Sequence, residues 1–335
     1  MSIATHPRQE AHNAVLDGPM LEVKDLVVRY GRGRKAAAAP AAVDGVSFSI
    51  RPGETVGLVG ESGSGKSTIG KAILGLQKTA GGTISYQGKD ITHAGAAERR
   101  ALGGELRAVF QDPNSSLNPR QTIGASLAEP LRLRGVSAGD ARAKAGVMLE
   151  RVGLPREAVD RYPSQFSGGQ RQRIAVARAL ICEPKLVVCD EAVSALDLST
   201  QAQVLNLLAD LRDERGLSYL FIAHDISVVQ FLAQRVVVLY RGQVMESGPV
   251  AAVTESPKHP FTQALVAASP VPRPAEQAER RNLRESMGVR TASSVSATPG
   301  GCPFRQRCPL ATELCAAERP ALRTVGQSDV ACHYA

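Results

Sequence analysis

The chain has 335 residues, 43% hydrophobic and 21% charged, which gives room for one large domain plus an appendage, or two domains, with a sizeable core. Aromatics make up 4% with no Trp, and the net charge of +8 is scattered apart from short pairs such as Arg99-Arg100 and Arg280-Arg281, so the basic surface reads as solvated and a base-stacking nucleic-acid partner is not expected. No apolar run approaches the roughly 18–20 residues that span a bilayer, and the first residues carry His6, Arg8, Glu10 and Asp17 without a signal-like apolar region, so a cytosolic chain, or one peripheral on the cytoplasmic face of a membrane, is expected.

Residues 1–19 read as a disordered tail. Leu21, Val23, Leu26 and Val28 begin a strand that runs to Tyr30, and the Gly-, Arg- and Ala-rich stretch 31–42 reads as a loop. Val46, Phe48 and Ile50 alternate with small residues, as a half-buried strand does, before the turn Arg51-Pro52-Gly53. The apolar run Thr55-Val56-Gly57-Leu58-Val59 then leads into Gly60-Glu61-Ser62-Gly63-Ser64-Gly65-Lys66-Ser67-Thr68, and Ile69, Ala72, Ile73 and Leu76 follow at helical spacing. Strand, glycine-rich loop and helix in this order are the setting of a phosphate loop. Successive N–H groups at such a turn and the positive end of the helix attract phosphate oxygens. Lys66 is expected to reach the β- and γ-phosphates of a nucleotide, and the Ser67 hydroxyl to hold Mg²⁺.

Further strands are expected at Thr83–Tyr86 and Leu106–Phe110, and the pattern turns helical from about 120 to 165. Leu186-Val187-Val188-Cys189 is a short apolar run of the kind that forms a central parallel strand, and it ends in Asp190-Glu191. Asp190 is placed to hold Mg²⁺, and Glu191 to orient or deprotonate an attacking water. A helical stripe from Val204 to Leu211 ends at Gly216, and strands at 219–223 and 236–239 flank a helix at 228–232. Alternating strands and helices imply a mostly parallel sheet covered on both faces. Beyond Pro249 prolines accumulate, and residues 275–300 read as a linker.

Phe166-Ser167-Gly168-Gly169-Gln170 opens a helix with hydroxyl and N–H donors for an anion. With the phosphate loop before it and the carboxylate strand after it, this segment resembles the signature of ATP-binding-cassette (ABC) ATPases, with Phe166 where Leu is commoner. The resemblance implies an α/β fold: an ABC-type nucleotide-binding domain over 20–255 with a mostly parallel central sheet, an antiparallel β subdomain and a helical subdomain at about 112–178. It implies further that Gln111 is the glutamine that senses Mg²⁺ and water, that Ser194 to Asp197 cross a dimer interface, that His224 contacts γ-phosphate and that Tyr30 stacks on adenine.

The stretches Val109 to Pro113, Ser116 to Arg120, Arg161 to Pro163 and His259 to Leu265 are similar to the ATPase subunits of dipeptide and oligopeptide importers, most of all to the second ATPase of dipeptide systems. Ala192 departs from the Pro usual there. The implied activity is ATP hydrolysis that powers peptide uptake, with glutathione or nickel as alternative cargo. The implied partners are a second ABC ATPase in a heterodimer, two transmembrane permeases and an extracytoplasmic substrate-binding protein. A soluble ABC protein acting on ribosomes or DNA is the rival of another class. Such proteins often carry two cassettes or a long coiled-coil insertion, neither of which this chain contains. A redox-responsive binding protein with an active tail is a third reading.

After a Pro-rich connection at 256–300, residues 301–335 hold four of the six cysteines, Cys302, Cys308, Cys315 and Cys332, separated by five, six and sixteen residues. Four thiols in so short a segment suit a metal or iron–sulfur site. Spacing leaves Zn²⁺, a role for His333, and unmetallated cysteines open. The peptide-importer resemblance favours a [4Fe–4S] cluster that staples the tail. Cys182 and Cys189 read as core residues.

Overall fold

The computed structural model describes residues 18–31, 39–112, 116–194, 196–269 and 300–335. The tail at 1–17, most of the loop at 31–42, residues 113–115, Ala195 and the linker from 270 to 299 lie outside the described residues. Among the described residues the strands form two sheets.

The smaller sheet is antiparallel. β1 (Leu21–Arg29) lies between β2 (Ala41–Ile50) and β4 (Gly81–Tyr86), and β5 (Lys89–Asp90) completes the edge. Its inward side chains, among them Leu21, Leu26, Val46 and Ile50, are fully buried. They pack with α1 (Lys66–Ile73) against one face of the larger sheet.

The larger sheet has the order β11-β12-β10-β9-β3-β8-β7-β6. At its centre β3 (Thr55–Gly60) is buried at every position. It pairs in parallel with β8 (Ser218–Ala223) and β9 (Arg235–Tyr240), in registers that set Val59 beside Ala223 and Gly60 beside Leu239. Beyond β8, β7 (Leu186–Asp190) and β6 (Leu106–Val109) are also parallel. Apolar runs without alternation suit strands covered on both faces. Each fully buried Val, Leu or Ile contributes about 1.5–3 kcal/mol. This order brings the C-terminal ends of β3, β8, β7 and β6 to one rim, the side where open α/β sheets bind ligands.

Helices α2 (Ala96–Leu102), α3 (Ile123–Arg132), α4 (Ala138–Arg151) and α5 (Gly168–Leu180) follow in the first half, with short 3₁₀ turns at 156–160 and 163–165. The buried faces of α3, α4 and α5 share one core that extends to α6 (Leu198–Arg215) and α7 (Ile226–Leu232). Leu76, read as part of the α1 stripe from its spacing, lies past the helix end and is 65% exposed.

The connection expected from 256 begins as packed structure. After β10 (Gln243–Pro249) come α8 (Val250–Glu255) and α9 (Pro260–Ala268). Pro260 occupies the first turn of α9, where a missing N–H costs nothing, so this proline starts a helix instead of marking a linker. The His259 Nδ1 accepts the Phe261 N–H, and the buried Glu246 carboxylate accepts the N–H groups of Lys258 and His259. Phe261 and Phe304 pack on Tyr240 with ring centroids 4.7 and 5.4 Å away.

The C-terminal segment adds α10 (Glu313–Ala317) and two short strands, β11 (Arg323–Val325) and β12 (Ser328–Val330). β12 pairs antiparallel with β10, so the segment extends the main sheet. Neither strand is expected from the residue pattern, because three-residue strands are too short to show alternation.

Candidate functional site

The rim formed by β3, β8, β7 and β6 collects the residues expected to act on a nucleotide. Gly60 ends β3 with φ 158°, and a Cβ there would lie 2.1 Å from the Leu239 carbonyl oxygen. Only glycine lets the chain leave the sheet so close to β9. The loop then turns through exposed Glu61, Ser62 and Gly63, and Gly65 precedes the first residue of α1.

Lys66 is buried. Its Nζ donates to the carbonyls of Gly60 and Glu61, each at 2.8 Å, and to Ser64 Oγ at 3.3 Å. Burial lowers its pKa, while Glu191, Asp190 and Glu61 act to raise it. An ammonium held by loop carbonyls beside open N–H groups is positioned to meet phosphate as a point charge. Thr68 Oγ1, one turn into α1, shares a hydrogen bond of 2.9 Å with the Tyr30 hydroxyl. The Tyr30 side chain is thereby tied to the phosphate-loop helix and remains half exposed.

Ser67 and Asp190, 123 residues apart, meet directly: Ser67 Oγ donates to Asp190 Oδ1 at 2.8 Å. Burial raises the Asp190 pKa, the Ser67 hydrogen bond opposes that, and the neighbouring Glu191 charge adds to it. A desolvated carboxylate beside a hydroxyl offers the hard oxygen donors that Mg²⁺ prefers. Gln111, just beyond β6, donates from Nε2 to Glu191 Oε2 at 2.7 Å. The Glu191 backbone is left-handed, with φ 49°. Its N–H donates to the Ile222 carbonyl, while its own carbonyl accepts the Ser194 N–H and hydroxyl. Strain of about 1–3 kcal/mol at such a residue persists only where surrounding bonds hold it. A small cavity of about 80 Å³ lies beside Glu191 and Ser194 and is lined by His224, exposed at the end of β8.

Ser167 caps α5. Its Oγ accepts the Gln170 N–H and its own N–H donates to Gln170 Oε1, a reciprocal capping box. Ser167 and Gly168 are exposed. A Cβ on Gly169 would touch Thr200 and Leu196, so the signature turn packs on the start of α6. Asp197 caps α6, accepting the Thr200 N–H and the Ser199 and Thr200 hydroxyls. These bonds, the Thr200 N–H foremost, hold the Asp197 carboxyl well below the usual range. Leu198, next in sequence, is 85% exposed.

One residue with a structural link to the site escaped the sequence reading. Gln172, buried on α5, donates from Nε2 to the Ala192 carbonyl at 2.6 Å and to the Phe110 carbonyl at 3.5 Å. It therefore joins the signature helix to the turns that carry Glu191 and Gln111. An amide on the buried face of an otherwise apolar stripe was the signal available.

In the tail, Cys302, Cys308, Cys315 and Cys332 line one cavity together with His259, Phe304 and His333. All are free thiols. Burial pushes the Cys302 thiol up to about 11, with the other three cysteines adding to the shift, and raises Cys308 as well. The donor chemistry fits a thiolate-bound group. Among the described residues no group of three or more His, Cys, Asp or Glu side chains is disposed to hold a metal ion. The four thiols share one cavity. Cys182 and Cys189 are buried in the core.

Two families match the chain: the one described as ABC transporter over residues 43–194, and the one described as oligopeptide/dipeptide transporter, C-terminal region, over residues 245–315. A putative peptide import ATP-binding protein of Brucella abortus is 48% identical over 94% of this chain and 93% of its own length. The oligopeptide transport ATP-binding protein OppF of Salmonella typhimurium is 45% identical over 96% of this chain and 98% of its own. The glutathione import ATP-binding protein GsiA of Salmonella typhi is 48% identical over 84% of this chain and 46% of its own. A dimeric ATP-binding cassette solved in a post-hydrolysis state with ADP and Pi superposes with a TM-score of 0.63 and 30% identity, covering 69% of this chain and 99% of that one.

Proposed function

Because the chain belongs to the ABC transporter family and carries the C-terminal region of oligopeptide/dipeptide transporters, we propose that it is the ATP-hydrolysing subunit of a peptide importer. The observation that carries the reading is the convergence of Lys66, Ser67, Asp190, Glu191 and Gln111 on one rim of the sheet. Glutathione is the second cargo, favoured by the similarity to the glutathione import protein.

In this reading Lys66 and the N-terminus of α1 bind the phosphates, and Tyr30 lies on the adenine side. Ser67, Asp190 and Gln111 would hold Mg²⁺, which when bound neutralises charge on the phosphate oxygens. Glu191 accepts the proton of the attacking water, and His224 faces the γ-phosphate. Catalysis here is mainly positioning and charge stabilisation. Exposed Ser167, Asp197 and Leu198 would be covered by a second ATPase subunit, so that each nucleotide lies between one chain's phosphate loop and the other's signature.

A groove of about 570 Å³ beside β6 and α3, edged by exposed Leu76 and Leu133, would receive a short permease helix. No helix among the described residues is long and apolar enough to cross a membrane, which suits a peripheral subunit on the cytoplasmic face. Co-purification from membranes with two permeases, with ATP turnover stimulated by the peptide-loaded binding protein, tests the assignment. An ATPase that isolates with ribosomes or DNA instead would overturn it.

A [4Fe–4S] cluster in the tail, or Zn²⁺ in its place, rests on the four free thiols sharing one cavity, and no step of the ATP cycle runs through it. Metal analysis of anaerobically purified protein decides this. Metal-free protein with four tail thiols open to titration would sink the proposal.

A further inference from the structure

The C-terminal segment does more than extend the sheet: it touches the phosphate loop itself. Arg307 lies one residue before Cys308, and 246 residues separate it from Glu61. Its Nη1 donates to Glu61 Oε1 at 2.9 Å and to Oε2 at 2.8 Å. The guanidinium is held over the rings of Phe304 and Tyr240, with the carbon 5.5 and 5.8 Å from the centroids. The Arg307 side chain is 17% exposed, less than that of Glu61 at 44%. An Arg stacked in this way has little freedom left to lose when it grips a carboxylate.

Glu61 is the link. Its side chain takes Arg307, and its backbone carbonyl takes Lys66 Nζ at 2.8 Å. Tyr240 belongs to β9, which pairs with β3 up to Gly60, so the platform under Arg307 and the strand feeding the loop are one piece of sheet.

A second strut arrives from the same segment. Arg319 donates to the Asp44 carboxylate and carbonyl at 3.0 and 2.9 Å. The Asp44 N–H donates to the Gly242 carbonyl, whose residue donates its own N–H to the Ser64 carbonyl in the loop. The loop is therefore braced at Glu61 and at Ser64 by chains of bonds that end in the tail.

We propose that Arg307 is a positioning residue for the phosphate loop: through Glu61 it holds the carbonyls that orient Lys66, so the tail sets the affinity of the site for MgATP. This rests on the ATPase reading above. The bland alternative is a surface ion pair that only helps the tail to dock.

The test uses the full-length chain with Arg307→Met, Arg307→Lys, Glu61→Gln and the double variant Arg307→Met/Glu61→Gln. MgATP affinity, KM, kcat and the nucleotide-free melting temperature are measured for each. Arg307→Met is expected to raise Kd and KM for ATP roughly 2- to 5-fold, the span of a partly exposed ion pair, with kcat within about twofold. Arg307→Lys recovers part of the loss by restoring the charge without the planar stack. The double variant is no weaker than the weaker single one, because both act through one contact.

A lowered melting temperature with unchanged MgATP affinity would overturn the proposal in favour of docking alone, as would additive losses in the double variant. If Arg307→Met does not fold, Glu61→Gln and Arg307→Lys still read the contact, and unaltered affinity in both overturns it. Failure of the wild-type chain to bind MgATP would strike the ATPase reading itself, an outcome separate from these.

Discussion

Two glycines of the phosphate loop, three residues apart, should respond very differently to the same added methyl group. At Gly60 the Cβ of an alanine would sit 2.1 Å from the Leu239 carbonyl oxygen and 2.8 Å from Ser64 Oγ. The first contact is roughly an ångström or more inside van der Waals distance, against a strand that cannot move without breaking its pairing. Positive φ adds about 1–3 kcal/mol of strain, and overpacking adds about 1–3 kcal/mol more. A total of about 2–6 kcal/mol is a large part of a typical stability of about 5–15 kcal/mol. At Gly63, φ is 77° and nothing lies within 4 Å of the added atom. Only the left-handed cost of about 1–2 kcal/mol remains. Urea unfolding of Gly60→Ala and Gly63→Ala, followed by MgATP titration, measures the difference. Gly60→Ala should lose at least about 1 kcal/mol more than Gly63→Ala, the overpacking term, and should bind nucleotide poorly even where folded. Equal unfolding midpoints would refute the claim that β9 closes over the base of the loop.

Glu191→Gln should keep MgATP binding and lower turnover by about 100-fold or more, because a general base is worth that much. A stable ATP-bound dimer on size exclusion supports the assignment, and near-normal turnover defeats it. Gln172→Met removes the amide that joins α5 to the Ala192 carbonyl. Leaving that carbonyl unpaired costs about 1–3 kcal/mol, partly offset because the unpartnered Gln172 Oε1 goes too; the stability loss should be small and the fall in kcat larger, and a fall in stability alone would make Gln172 a packing residue. The Asp197 carboxyl is depressed in the folded state, so its cap on α6 is fully present above the ordinary carboxylate pKa of about 4 and is lost only as pH falls below that value. Carboxyl NMR should find Asp197 titrating below the other exposed aspartates, and an ordinary midpoint would contradict the capping bonds.

Much of the site was legible along the chain, because its parts are local. A buried strand, a glycine-rich turn and a lysine at the start of a helix state a phosphate loop within about a dozen residues. Asp190-Glu191 at the end of an apolar strand and the capping box at Ser167 and Gln170 are local in the same sense. Other features were beyond pattern reading. Leu76 kept helical spacing after the helix had ended, since periodicity has no information about where the backbone stops. The prolines at 257 and 260 looked like linker composition until Phe261 was seen packed on Tyr240.

Sequence alone was enough to name the groups: Lys66, Ser67, Asp190, Glu191, Gln111, the Ser167 turn and the four tail cysteines. Tertiary structure decided which of them meet. Ser67 reaches Asp190 and Gln111 reaches Glu191 because the order β3-β8-β7-β6 brings distant strand ends to one rim, and strand order is set by crossovers that no local propensity encodes. The same holds for the tail. Spacing left its cysteines open between a metal or cluster site and plain thiols, and it is the fold that brings all four to one cavity. The fold also set Arg307 against Glu61, a contact across most of the chain, with the guanidinium seated on Phe304 and on Tyr240 of β9.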